Sequence, residues 1–77
     1  MEKYKAIYKC RLCGKVYHNG AETGEGGAMC NLAMIATGVK ITEPLAPQPY
    51  EIHRCHSPRA GSLGLADFQG WDKEGEA

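Results

Sequence analysis

Polar and apolar residues alternate with a period close to two over residues 4–9, where two tyrosines and an alanine alternate with lysines and an isoleucine. This pattern is typical of a β-strand, and it runs directly into Cys10. Residues 15–18 have the composition of a returning strand, and Asn19 with Gly20 then supplies a turn signal. The start of the chain therefore predicts a β-hairpin with a cysteine pair at its tip.

The spacing of apolar residues becomes helical over residues 28–37, which predicts one short helix. The positions that repeat on one face are Ala28, Leu32, Ile35 and Ala36. Gly38 suits the left-handed conformation just past a helix end, and Thr23, in a glycine-rich loop over residues 21–27, is expected to cap the helix start. Because the helix is apolar nearly all round, we expect Cys30 within it to be a buried, inert thiol.

Three prolines between residues 43 and 50 predict an extended connection that returns the chain to the hairpin. Residues 50–53 have the pattern of a third strand, and residues 61–71 predict the last strand. The expected core contributors of the last strand are Leu63, Leu65 and Phe68. Gly64 and Gly70 mark places where a bend or the close approach of neighbouring groups is tolerated.

These elements compose one zinc-ribbon-like domain over residues 1–71, followed by an acidic tail, residues 72–77, that is expected to fray. The predicted fold class is α+β. It is a small zinc ribbon made of antiparallel β-hairpins, with one short helix inserted between two metal half-sites.

The composition indicates that this domain needs more than a hydrophobic core. The 77 residues include 10 glycines but only one phenylalanine and one tryptophan, and domains of this size usually also need a disulfide, a metal or a partner. Neither a membrane-spanning apolar run nor a secretion signal is apparent, so we expect a soluble cytoplasmic protein without a membrane partner. In that setting the four cysteines favour metal over a disulfide network or a redox-active pair, which are the alternatives.

Two sequence clusters have the residue types and spacing of a zinc site. Cys10 and Cys13 are separated by two residues, so a tight turn can aim both sulfurs at one ion. His53 and Cys55 lie two apart, which places both side chains on the same face of an extended strand. Structural zinc takes four such ligands in a tetrahedron, and these four residues are the predicted set. His56 remains open as the fourth ligand in place of His53.

Zinc ribbons and rubredoxin-like domains contain a first metal-binding knuckle that resembles residues 8–17, YKCRLCGKVY. His53-Arg54-Cys55 stands where rubredoxins have a second cysteine pair, which favours structural zinc over iron. The chain is also similar to small zinc-ribbon proteins encoded in phages and prophages of Gram-positive bacteria, which share the early CxxC, the late His-x-Cys and a segment like residues 64–71, GLADFQGW. That resemblance implies that the protein acts in the cytoplasm of a bacterial host, and it implies no known activity.

The sequence favours a binding module over an enzyme. No acid–base pair, partnered nucleophile or phosphate-binding loop emerges, and a zinc ion with four protein ligands has no open position for substrate. The favoured function is protein–protein interaction. The protein would act as an accessory or anti-defence factor of a phage or mobile element, and its partner could be a second copy of the chain in a homodimer. The expected contact surface is the apolar helix together with Tyr50, Phe68 or Trp71.

The alternative function is nucleic-acid binding through the lysine-rich N-terminal hairpin. Its basic residues are Lys3, Lys5, Lys9, Arg11 and Lys15. Tyr4, Tyr8 and Tyr17 would then stack on unpaired bases. Nine basic and nine acidic residues give the chain no net charge, which argues against this alternative because counterion release drives such binding.

Overall fold

The computed structural model describes residues 3–42 and 46–74 and has an α+β architecture. Its elements, in chain order, are β1 (Lys3–Cys10), β2 (Val16–Thr23), α1 (Glu25–Thr37), β3 (Tyr50–Cys55) and β4 (Ser62–Glu74). Over the described residues the strands form one antiparallel sheet in the order β2-β1-β4-β3. The predicted class, and a helix between the two cysteine-containing segments, are confirmed.

One face of the sheet contains the core, and the central strands β1 and β4 contribute its buried centre. Ala6 and Tyr8 of β1 and Ala66 of β4 are fully buried, with 0% of their surface exposed. The rings of Tyr17, Phe68 and Trp71 are partly buried and pack around them. We call the face of the sheet that carries this core the inner face. The alternation predicted for β1 is confirmed, because its even-numbered residues from 6 to 10 face inward.

The Asn19-Gly20 pair lies inside β2 and does not form the predicted turn. β2 continues to Thr23, and its pairing with β1 shifts register opposite Ala6. Gly20 has a positive φ of 96°, and the Asn19 side chain accepts a hydrogen bond from the Ala21 amide at 2.9 Å. The positive φ of Gly20 and the side-chain hydrogen bond of Asn19 are also features of turns. Here they produce a bulge, because the parts of β2 before and after this pair both pair with β1.

The helix is longer than predicted and begins differently. It starts at Glu25, and Gly24 occupies the N-cap position without a side-chain hydrogen bond, so the prediction that Thr23 caps the helix is wrong. Thr23 instead ends β2. Gly38 adopts the expected left-handed conformation at the other end, with φ 77°.

Asn31 is the residue through which the helix is anchored to the sheet. Its amide nitrogen donates to the Pro47 carbonyl at 3.2 Å, and its amide oxygen accepts a hydrogen bond from the Trp71 indole at 3.1 Å. The expectation that Cys30 is buried is wrong, since its side chain is exposed. The small helix face formed by Ala28 and Asn31 is buried instead.

The two leucines of β4 lie on the outer face of the sheet, opposite to the face that was predicted for them. Leu63 and Leu65 are 60% and 41% exposed, so the expectation that they enter the core is wrong. They share the outer face, whereas Ala66 and the half-buried Phe68 lie on the inner face. Gly70, with φ 145°, lies at a register shift between β1 and β4, as expected for a bend.

The last strand, β4, continues to Glu74, three residues beyond the domain boundary expected at residue 71. Residues 72–74 pair with residues 3–5 of β1 instead of fraying. Residues 43–45 of the expected proline connection, and residues 1–2 and 75–77 at the two ends, lie outside the described residues. Within the described part of the chain, no helix combines the length and the apolar character that crossing a membrane requires.

We predict that Tyr8→Phe lowers the free energy of unfolding by about 1 kcal/mol at neutral pH, because the buried hydroxyl donates to the Gln48 carbonyl at 2.6 Å. Burial, together with the charge of Glu51, raises the pKa of Tyr8 to about 12. The hydroxyl of the unfolded chain therefore ionises first, and the advantage of the wild type is present below pH 10 and lost as pH approaches 12. Denaturant unfolding of both proteins at pH 8 and pH 11 measures this; a difference that grows with pH would contradict it.

Candidate metal site

The four residues predicted as metal ligands converge at one end of the sheet. Cys10 ends β1, Cys13 lies in the following turn, and His53 and Cys55 belong to β3. Their ligand atoms all lie within 4.8 Å of one another. Cys10 and Cys55 are 1% exposed, while Cys13 and His53 are partly buried. This cluster could hold a metal ion.

Three of the distances between the ligand atoms are close to those of tetrahedral coordination. The Sγ atoms of Cys10 and Cys55 are 3.5 Å apart, and Nδ1 of His53 lies 3.5 Å from Sγ of Cys13 and 3.4 Å from Sγ of Cys55. A tetrahedral zinc ion with typical bond lengths separates two sulfurs by about 3.8 Å, and a sulfur and a nitrogen by about 3.6 Å. A disulfide would need about 2.05 Å between sulfurs. All four cysteines of the chain are free thiols.

The turn after β1 presents backbone donors to the sulfur of Cys10. It is closed by two hydrogen bonds, from the Gly14 amide to the Cys10 carbonyl and from the Cys10 amide to the Lys15 carbonyl, both 3.0 Å long. Gly14 has φ 77°, which a side chain would disfavour. Hydrogen bonding by the Cys13 backbone, with smaller contributions from His53 and the Leu12 backbone, lowers the pKa of Cys10 to about 6. A thiolate is the form that binds metal.

The thiols of Cys55 and Cys10 have pKa values shifted in opposite directions. Burial, followed by hydrogen bonding to the thiols of Cys10 and Cys13, raises the pKa of Cys55 to about 12. Three thiolates this close together repel one another, so they can all ionise only beside a positive charge. A divalent metal would supply that positive charge and favour the thiolate of Cys55.

Gly64 of β4 lies directly beneath the cluster. It pairs with His53, and a Cβ atom at this position would lie 2.5 Å from Sγ of Cys10 and 3.2 Å from Sγ of Cys55. The same atom would lie 2.9 Å from Cβ of Leu12. The prediction of a close approach at Gly64 is confirmed, and its cause is that sulfurs from β1 and β3 meet above β4.

The other histidines and the remaining cysteine lie outside this cluster. His56 follows the end of β3 and is exposed, so the structure brings His53 and not His56 to the three sulfurs. His18 is exposed as well and lies 3.6 Å from a carboxylate oxygen of Asp72. Cys30 is an exposed helix residue.

An aromatic ring from the far edge of the sheet covers His53. The ring of Tyr17, from β2, stacks on the imidazole with centroids 4.9 Å apart and planes inclined by 22°. The Tyr17 hydroxyl donates to Glu51 at 2.5 Å, and Asn19 donates to the same carboxylate at 3.2 Å. Our sequence reasoning missed this arrangement. The only signal in the sequence was Tyr17 itself, the aromatic residue at the end of the segment YKCRLCGKVY that resembles a metal-binding knuckle.

Comparisons with protein-family models, with curated proteins and with solved structures found no match to this chain.

We predict that Gly64→Ala damages the metal site, because the added methyl group overlaps Sγ of Cys10. Overpacking of this kind costs about 1–3 kcal/mol, and here it also pushes the ligands apart. Gly26→Ala is the matched control, because a Cβ atom there meets nothing within 4 Å and the helical site favours alanine. Metal affinity and unfolding of both variants test this; equal behaviour of the two would contradict it.

Proposed function

We propose that the protein is a small binding module whose fold is completed by one structural Zn²⁺ held by Cys10, Cys13, His53 and Cys55. The observation that carries this proposal is the convergence of four ligand atoms within 4.8 Å. Three sulfurs and one imidazole nitrogen are a typical structural zinc set. Thiolate-rich sites also favour zinc over hard ions such as magnesium or calcium.

The proposed site supports a structural role for the metal and not a catalytic one. Catalytic zinc normally keeps one coordination position open for water or substrate. Here four protein side chains offer ligand atoms within 4.8 Å of one another, and two of them, Cys10 and Cys55, are almost completely buried. We therefore propose that the protein is not an enzyme.

The outer face of β3 and β4 supports protein–protein interaction as the module's function. Four large apolar side chains are exposed there on neighbouring strands: Tyr50, Ile52, Leu63 and Leu65, with Ile52 75% exposed. Ile52 and Leu65 are directly paired across the two strands. We call these four residues the outer patch. An apolar cluster of this kind is typical of a surface that binds another protein.

The contacts of the hairpin are less favourable to nucleic-acid binding, the second candidate. Tyr8 is fully buried and the ring of Tyr17 covers His53, so neither offers an open face to a base, which corrects the expectation that both are available for stacking. Lys5 lies 3.6 Å from Glu22, and Arg11 makes two hydrogen bonds to Asp67. Acidic partners thus neutralise part of the basic cluster.

The zinc proposal predicts one tightly bound zinc per chain and loss of the cooperative fold when a chelator removes it, because binding and folding are coupled. Cys13→Ala and His53→Ala each remove a ligand and should weaken zinc binding by more than about 100-fold, beyond the usual effect of residues outside the coordination shell. His56→Ala is the control, since this exposed histidine lies outside the cluster. Elemental analysis, chelator competition and circular dichroism give the measurements. Loss of zinc in His56→Ala alone would reassign the fourth ligand.

The surface proposal predicts association through the outer patch, and a second copy of the chain is the first partner to test because a symmetric dimer buries the same patch on both subunits. Ile52→Ser should weaken self-association, whereas Val39→Ser, at an exposed valine outside the patch, should not. Sedimentation at low and high salt measures this. A monomeric protein that binds a single-stranded oligonucleotide with strong salt dependence would favour the second candidate instead.

A further inference from the structure

The two edge strands of the sheet meet across its inner face. β2 and β3 are separated in the sheet by β1 and β4, so in a flat sheet they would lie about 14 Å apart at the usual strand spacing. Yet the Tyr17 hydroxyl of β2 reaches Glu51 of β3. The sheet is therefore strongly curled, and the register shifts on both sides of β1 are consistent with that curvature.

Two hydrogen bonds and one ring contact join the two edge strands, and a third hydrogen bond, within β2, holds the Asn19 side chain. Glu51 accepts hydrogen bonds from Tyr17 and Asn19, and the Asn19 side chain also accepts one from the Ala21 amide in the bulge of β2. The Tyr17 ring stacks on His53. We call Tyr17, Asn19 and Glu51 the edge bridge.

The edge bridge acts on the one metal-ligand candidate that is not a cysteine. A histidine that binds metal through Nδ1 must carry its proton on Nε2 and hold its ring in one orientation. Nδ1 of His53 faces Sγ of both Cys13 and Cys55. The stacked Tyr17 ring restricts rotation of the imidazole, and Glu51 in turn fixes the position of Tyr17.

We propose that Tyr17 and Glu51 are positioning residues for the metal site, which hold the His53 ring with Nδ1 directed at the ion by bridging the two edges of the sheet. This inference rests on the proposed zinc site. It assigns the orientation of a ligand to residues that bind no metal themselves.

The test compares the zinc affinity and the cobalt spectrum of full-length variants. Tyr17→Leu removes the ring and the hydroxyl, and we expect zinc binding to weaken by about 10–100-fold, the usual range for residues that orient a metal ligand. Tyr17→Phe keeps the ring, and Glu51→Ala removes the acceptor. Each should weaken binding by about tenfold, and the double variant by no more than the larger single effect, because the two changes break the same hydrogen bond.

Cobalt substitution gives a readout that general loss of stability does not change. In Tyr17→Leu we expect the visible bands of bound Co²⁺ to shift or lose intensity, since the imidazole no longer holds one orientation. Tyr50→Leu is the matched control on the outer face of β3, and Tyr8→Phe is a control that destabilises the core without removing a contact to His53. Both should keep the wild-type cobalt spectrum.

Two results would overturn the inference, and only one of them would also overturn the proposed zinc site. Wild-type protein that binds zinc while Tyr17→Leu matches the two controls in affinity and cobalt spectrum would overturn the positioning role alone. Wild-type protein that binds neither zinc nor cobalt would overturn the proposed function and this inference together.

Discussion

The approach of β1 and β3 to the same point above β4 is the constraint on which the rest of the structure depends. The strands are not neighbours, and their sulfurs meet only because Gly64 leaves the space between them empty of side-chain atoms. This meeting joins Cys10 to Cys55 and so connects the first hairpin to the last one. The connection spans the helix and the long segment that follows it.

The small inner-face residues explain why so short a chain adopts a curled sheet. Ala6 and Ala66 fill the centre of the two middle strands, so larger rings from the edges, such as Tyr17, can fold over them. A core of this kind buries little apolar surface, and the free energy of burial scales with that surface. Polar contacts therefore have an unusually large structural role, as in the attachment of the helix through Asn31 to Trp71 and Pro47.

The two faces of the sheet differ in chemistry. The inner face holds the rings, the edge bridge and the cysteine–histidine cluster. The outer face of β3 and β4 carries the outer patch beside the Arg11–Asp67 ion pair, with the Arg11 guanidinium 5.7 Å from the centre of the Tyr50 ring. The proposed module can thus bind a partner on one face without disturbing the site on the other.

Local sequence was sufficient for the element types and for the candidate ligands. Alternation identified β1, the CxxC turn identified one half of the site, and the spacing of His53 and Cys55 placed both on one face of a strand. These features depend on residues close together in the chain, where strand period and turn chemistry decide the geometry.

Only the tertiary structure decided the bulge at Asn19-Gly20, the exposure of Cys30 and Leu63, and the contact of Tyr17 with His53. Each depends on which strands become neighbours and on which face is covered, and such pairings join residues far apart in the chain. Alternation separates the two faces of β4, but it does not say which one turns inward. In the structure the face that carries Gly64 and Ala66 turns inward, and the small size of both residues permits the close approach of β1 and β3.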